Sequence, residues 1–412
     1  MSQMEMVDLD SLVPSTHPYR RFQAYLPNAT NALAEVSQLK GADGYGVERL
    51  FHCLLLQFME DLSDRDLERY LEENLAAKWF CGFTVSEPTP DYSLFTRVRT
   101  RIGTTRLSQL FATMRDQLKA AGLMSEVFTF VDATHLIAKA TLWEERDKAR
   151  QQKIEKLNNE MLPKVAADPQ ARIGCKGQKK YWYGYKEHVS VDMQSGLINK
   201  VATTPANLPD AQGLRHVCPT QGAIYGDKGY CTAPARQAAA KRRCHLAAIQ
   251  RQNMNTKNRD RDRWYSHLRA PYERVFSQRP KRVRYRGVAK NQFAGFLQAM
   301  AFNLKRLLVL EPSPMGACQK NGSEASATTS GLDVRHNRCT SGFKWGSRSA
   351  LTSLQAFQNL GNQKIASWNG PRFILQQSHI ENWHFQLIHP KSPRLHWGFC
   401  SQEGLKARVR GQ

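Results

Sequence analysis

The stretch Glu126-Val-Phe-Thr-Phe-Val-Asp-Ala-Thr-His135 decides how this chain is read. Val127 to Val131 are apolar or β-branched and predict a buried strand. The strand is expected to stop on Asp132. Aspartate is disfavoured inside strands, and a buried charge is costly unless it is paired or binds a metal. Taken alone, Asp132 reads equally well as a cap on the following turn. A second stretch repeats the design. Ala223 to Gly226 (AIYG) is short and apolar and runs into Asp227, followed by Lys228, Gly229 and Tyr230. Two strands that each end on an aspartate can bring both carboxylates to one edge of a sheet. Such an edge suits a hard divalent cation such as Mg2+, which takes oxygen ligands. A third acid is then wanted, and Glu273 is the best candidate. It is an exception in a basic region, Gln250 to Arg306, although a surface ion pair with Arg269 would also account for it.

The 412 residues leave room for two or three domains, and 41% hydrophobic residues are enough for a core. Lys and Arg outnumber Asp and Glu by 59 to 36, a formal net charge of +23. With a sequence pI of about 9.8, the chain is expected to seek a polyanion, and nucleic acid is the foremost class. A basic protein with no such partner is the alternative. The sequence contains no long apolar run and no basic amphipathic helix, so no membrane partner is expected. Nine cysteines without a Cys-x-x-Cys pair argue against a disulfide framework and against structural zinc. Reduced thiols, and acids where an export signal carries bases, predict a cytoplasmic, nucleoid-associated protein.

Residues 1–120 read as helical. Leu50, Leu54, Phe58 and Leu62 recur at helical spacing, Ser63 is a cap, and Tyr92 to Ile102 is a basic helix. This segment suits either a helix-turn-helix-like DNA module or a plain bundle with a solvated basic face. Trp143 to Asn159 predicts an exposed helix or a mobile insertion. Next come the basic run Lys176, Lys179, Lys180, strands over Tyr183–Val191 and Leu197–Thr204 with a turn at 192–196, and a helix from Ala211. The Asp227 strand, an Ala-rich helix (Ala233–Arg243) and a short strand at Leu246–Ile249 follow. Hairpin strands leading into βα units predict an α/β mixed sheet with helices on its faces. Residues 291–310 predict one more core helix. Residues 311–412 open with Pro312, Ser313 and Pro314, continue in linker composition, and show no sustained period despite Trp345, Trp368, Trp383 and Trp397. They are expected to be an irregular C-terminal extension, such as read-through past the original frame, or else a small extra binding domain.

Several blocks together resemble the DDE transposases of bacterial insertion sequences, in particular the insertion-sequence-five group of the four/five superfamily. They are VDATH (131–135), YGYKEHVSVD (183–192), TPANLPD (204–210), YGDKGY (225–230) and YERVF (272–276), in family order, with Asn303-Leu-Lys-Arg306 resembling the closing block. The resemblance covers about residues 5 to 310. It implies a small helical accessory domain (1–120), an RNase H-like catalytic core (121–310), and Asp132, Asp227 and Glu273 as catalytic, metal-binding triad. The family's last acid lies in a tyrosine, arginine, glutamate, lysine signature. Arg269 and Glu273 have the expected spacing, which marks Arg269 as a DNA contact. Tyr265 and Lys281 each sit one place too far from Glu273, and Pro271 falls where a helix is expected.

Such a triad would hold two Mg2+ ions, or Mn2+ in their place, roughly 3.5–4 Å apart. They would serve strand cleavage and then strand transfer by in-line attack on a phosphodiester. Lys228 could contact a phosphate. Arg242, Arg243, Arg282, Arg284 and Arg286 would position DNA without reading its sequence. His135 has no partner at metal-ligand spacing and is expected to be structural. The partners implied are double-stranded DNA, as inverted-repeat ends and as target, and further copies of the chain in a synaptic complex. Two other classes stay open: a nuclease on the same core that cuts without joining, and a DNA-binding protein that has lost catalysis.

Overall fold

The computed structural model describes residues 8–26, 33, 44–152, 157–177, 180–255, 257–277 and 279–310, together with the strand backbones at 372–377, 383–388 and 396–397. Lys179 and, those strands apart, the segment after Leu310 lie outside the described residues. The chain divides into two compact units, Met1–Asp333 and Val334–Gln412.

The first unit begins with helices α1 (Leu9–Leu12), α2 (Pro18–Tyr25), α3 (Val47–Met59), α4 (Asp64–Glu73), α5 (Leu75–Cys81) and α6 (Tyr92–Ala120). Phe51, Cys53, Leu54, Leu55 and Leu56 of α3 are all fully buried, so its middle turns lie within the core, while Glu48 in its first turn is exposed. Ser63 does cap α4. Its side chain accepts from the Asp66 amide while the Asp66 carboxylate accepts from Ser63, a reciprocal capping box. Helix α6 runs well past the expected Ile102 and is kinked at Gly103, whose φ of 69° a side chain would resist.

The sheet follows. Strand β1 (Phe128–Ile137) leads into α7 (Leu142–Gln151), α8 (Leu162–Val165), β2 (Arg172–Lys176), β3 (Lys180–Asp192) and β4 (Ile198–Pro205). Then come α9 (Asp210–Val217), β5 (Ala223–Gly226), α10 (Ala233–Lys241), β6 (His245–Ala248), α11 (Arg259–Arg269), α12 (Glu273–Ser277) and α13 (Val288–Leu310). The strand order is β2-β3-β1-β5-β6, with β4 also on β3. Strand β3 is antiparallel to β1, β2 and β4, whereas β5 and β6 run parallel to β1 and to each other. This is the α/β mixed sheet expected from the sequence, with helices on its faces.

Alternation along the strands sends side chains to two faces. Val131 and Ile224 point into one core with Ala211, Leu214 and Val217 of α9 and Ala235 and Ala239 of α10. Phe130, Val189 and Val191 point into the other, with Phe276 and with Leu297, Met300 and Leu304 of α13. The helices of residues 1–120 share this second core. Phe111 and Phe296 rings lie 5.7 Å apart, the Thr104 hydroxyl donates to the Ala289 carbonyl (3.1 Å), and Lys305 donates to the Met59 carbonyl.

Several expectations need correction. Strand β1 does not stop at Asp132 but continues to Ile137, because Gly184–His188 of β3 pair with Ala133–Ile137. Beyond its end, Ile137 pairs with the 281–283 segment, donating to the Lys281 carbonyl (2.8 Å) and accepting from the Val283 amide (2.9 Å). Strand β2, in a segment noted only for the basic run Lys176, Lys179 and Lys180, is held in a hairpin by β3. In the second unit an antiparallel sheet of β7 (Arg372–Gln377), β8 (Trp383–Ile388) and β9 (His396–Trp397) appears where no strand period was expected.

One buried ion pair fastens the segment after α12 to the sheet. Arg279 donates from Nε and Nη2 to the two oxygens of Glu187 at 2.8 and 2.5 Å, and both side chains are almost fully buried. Arg279→Ala, which strands a buried carboxylate, should cost about 3–5 kcal/mol in urea unfolding. Arg279→Met combined with Glu187→Leu should cost much less, because no charge is then left without a partner.

Candidate active site

The register of two parallel strands builds the site. Phe130 of β1 pairs with Tyr225 of β5. Two residues further on come Asp132, within β1, and Asp227, just past the end of β5, near enough for the charge of Asp227 to act on Asp132. Both project from the face that carries Phe130 and Tyr225, at the carboxyl ends of β5 and β6. In open α/β sheets ligands bind outside the carboxyl ends of parallel strands. Asp132 Oδ1 accepts from the Ala133 amide (2.8 Å), and Asp227 Oδ1 accepts from the Gly229 amide (2.8 Å), capping the single turn Lys228–Tyr230. Each carboxylate is thus held by its own backbone, with its second oxygen left to other partners.

Aromatic rings seat helices α11 and α12 on this face. Phe130 packs on Tyr272 (6.1 Å) and Phe276 (5.4 Å), and Tyr225 packs on Tyr265 (5.6 Å) and Trp264 (6.5 Å). Arg269, at the end of α11, is buried with its guanidinium 5.2 Å from the Phe130 ring centroid. Burial pushes the Asp132 carboxyl up to about 6. The Ala133 amide opposes that shift, the negative charges of Asp227 and Asp210 add to it, and Arg269 opposes it. Two groups are new relative to the sequence reading. Asp210, first residue of α9, lies within electrostatic reach of Asp132 and is held by Lys186 Nζ at 2.8 Å. Tyr230, fully buried, lies within reach of Asp132, Asp210 and Asp227. Both sit inside blocks already singled out, TPANLPD and YGDKGY, so the signal was present without a role attached.

Glu273 stands apart from this pair. Pro271 ends α11, a short turn Ala270–Tyr272 follows, and α12 restarts at Glu273, so Arg269 and Glu273 do not share a continuous helix. Glu273 is exposed, and no hydrogen bond or ion pair holds it among the described residues. Among those residues, no group of three His, Cys, Asp or Glu side chains is placed to hold one metal ion. Asp132 and Asp227 are thus brought near one another, while the third acid is not drawn in.

The other basic residues divide into two kinds. Lys228, Arg242, Arg243, Arg282 and Arg286 are exposed, and Arg286 lines an open cleft of about 300 Å³ with Asp168, Gln170 and Lys290. Arg284 is half-buried and packs against the N-terminal helices, paired with Asp61, donating to the Leu62 carbonyl and lying 4.7 Å from the Phe58 ring. His135 is exposed, with its ring 5.6 Å from that of Trp182.

With this geometry in view, comparison with known proteins gives two adjacent matches. Residues 7–101 match the family described as transposase domain (DUF772), and residues 124–304 match the transposase DDE domain family. The chain thus carries a DDE transposase domain preceded by a second transposase domain, and Asp132 and Asp227 lie within the former. Among solved structures, the chain is similar to a piggyBac transposase synaptic complex with hairpin DNA, at 10% identity over 70% of this chain and 74% of that one, with a TM-score of 0.36.

The raised Asp132 value carries a pH dependence. Its ordinary value is 3.8, so the folded protein binds this proton more tightly than the unfolded chain. The contribution favours folding below about pH 4 and is lost as pH rises through about 6. In chelator, Asp132→Asn should therefore raise unfolding stability at pH 8 by about 1–2 kcal/mol, and the gain should vanish below pH 4.

Proposed function

We propose that this chain is a transposase of the insertion-sequence-five group that cuts and rejoins DNA at the edge built by Asp132 and Asp227. The observation that carries the reading is the register of β1 and β5, which brings two half-buried aspartates near one another at the edge of a sheet in a chain of net charge +23. Asp132, Asp227 and Glu273 are the proposed metal-binding and catalytic residues, with Glu273 moving in from the start of α12 when DNA and cations are bound. Mg2+ ions bound there, or Mn2+ in their place, would stabilise charge on the attacking and leaving oxygens. The chain's own part is to orient the carboxylates through the Ala133 and Gly229 amides and to exclude water with the aromatic rings beneath. It also offers Lys228 and the exposed arginines 242, 243, 282 and 286 to phosphates. Arg269, buried beside Asp132, offsets the repulsion between the two aspartates and would meet DNA only at the site itself. The proposed partners are inverted-repeat ends, target DNA and further copies of the chain in a synaptic complex, in the cytoplasm.

The exposure of Glu273 favours one rival, a DNA-binding protein that has lost catalysis. A strand-transfer assay with Mg2+ on DNA carrying the flanking inverted repeats separates the readings. A transposase joins, a nuclease on the same core only cuts, and a binder does neither. Asp132→Ala, Asp227→Ala and Glu273→Ala should each reduce cleavage by at least 100-fold while leaving DNA affinity within about threefold. Normal cleavage by Glu273→Ala would remove that residue from the site.

Binding to DNA of any sequence should weaken steeply with salt, since each neutralised phosphate contributes about −0.9 to the slope of log affinity against log salt. Removing Arg242 and Arg243 together should make that slope shallower by about 2, whereas Arg284→Ala should leave it unchanged and lower stability instead.

A further inference from the structure

Tyr230 holds a buried hydroxyl that no group among the described residues satisfies. The ring belongs to the core formed by α9, α10 and the inner face of β1 and β5, and its oxygen makes no hydrogen bond. Gly226 makes the placement possible, because a Cβ there would come within 2.9 Å of the Tyr230 ring. Asp132, Asp210, Asp227 and the Arg269 guanidinium lie within electrostatic reach of the hydroxyl. Burial raises its pKa well above the ordinary phenol range, so it stays protonated and is a hydrogen-bond donor. Asp210 is fixed nearby, because Lys186 Nζ donates both to its carboxylate (2.8 Å) and to the Leu208 carbonyl (2.9 Å).

A buried hydroxyl without a partner costs about 1–3 kcal/mol, and such groups in native proteins are generally met by water or an ion. A water here would have one donor and several carboxylate acceptors, within the two to four partners that a buried water needs. We propose that Tyr230 is a positioning residue whose hydroxyl, with Asp210, holds a water against Asp132 and so orders the hydration of a divalent cation bound by Asp132 and Asp227. This rests on the cation reading of the site.

The test uses the full chain without DNA. Mn2+ binding is measured by calorimetry for the wild type, Asp132→Ala, Tyr230→Phe, Asp210→Asn and the Tyr230→Phe/Asp210→Asn pair, and melting is followed in chelator. Tyr230→Phe keeps the packed ring and removes only the oxygen. It should weaken Mn2+ about tenfold, as loss of an outer-shell partner does, with the melting temperature in chelator unchanged or raised. The pair should weaken Mn2+ no more than either single change, because both act through one water. Unchanged Mn2+ affinity in Tyr230→Phe, or losses that add in the pair, would overturn the inference while leaving the cation site standing. If Asp132→Ala binds Mn2+ as the wild type does, or the wild type shows no saturable binding, the cation reading falls and this inference with it.

Discussion

Everything at the site depends on three residue pairs of parallel strand, Phe128 with Ala223, Thr129 with Ile224 and Phe130 with Tyr225. Because side chains alternate, a slip of one residue would turn Asp132 into the α9–α10 core and Val131 out of it. The register is locked from both sides. Val131 and Ile224 are fully buried on one face and Phe130 on the other, so neither strand can shift without exposing a core side chain and burying a charge. Hydrophobic packing is what holds the two carboxylates near one another, and burial above all, with the charge of Asp227 adding to it, raises the Asp132 carboxyl.

The positive charge of the chain serves two ends that composition does not separate. Part of it is spent inside. Arg279 neutralises buried Glu187, Arg99 pairs with Asp64 (2.5 Å), Arg284 joins the segment before α13 to the N-terminal helices, and Arg269 stacks on Phe130 beside the acids. The rest stands in solvent on Lys228, Arg242, Arg243, Arg282 and Arg286. An arginine's role depends on whether a carboxylate or an aromatic ring from a distant segment reaches it. Arg284 lies 223 residues from Asp61, a pairing no local pattern announces.

That contrast sets what the sequence could tell. Strand β5 was legible to the residue, because four apolar positions run without interruption into Asp227. Strand β1 was read too short because aspartate normally ends a strand. Here the half after Asp132 is carried by β3, which lies far along the chain. Strand β2 was hidden because lysines and glycines occupy a hairpin whose partner supplies the order. At Pro271 local chemistry was decisive, and it splits the helix between Arg269 and Glu273. Asp210 and Tyr230 lay in plain sight inside recognised blocks. Their nearness to Asp132 follows from α9 and the Lys228–Tyr230 turn packing against each other, a tertiary fact without a periodic signature.

Helix α13 ties the parts of the first unit together. It is the one described helix long and apolar enough to cross a membrane, yet its apolar side chains are used inward, with Leu297, Ala299, Met300 and Leu304 fully buried. One side meets β4, where Asn303 bonds both the amide and the carbonyl of Ile198 (2.7 and 2.9 Å). Another side meets the N-terminal helices through Phe296 and Lys305. The N-terminal helices and the sheet therefore share one core. The N-terminal helices, α13, β4, β3 and the strand that carries Asp132 are thus joined by an unbroken series of packed and paired elements.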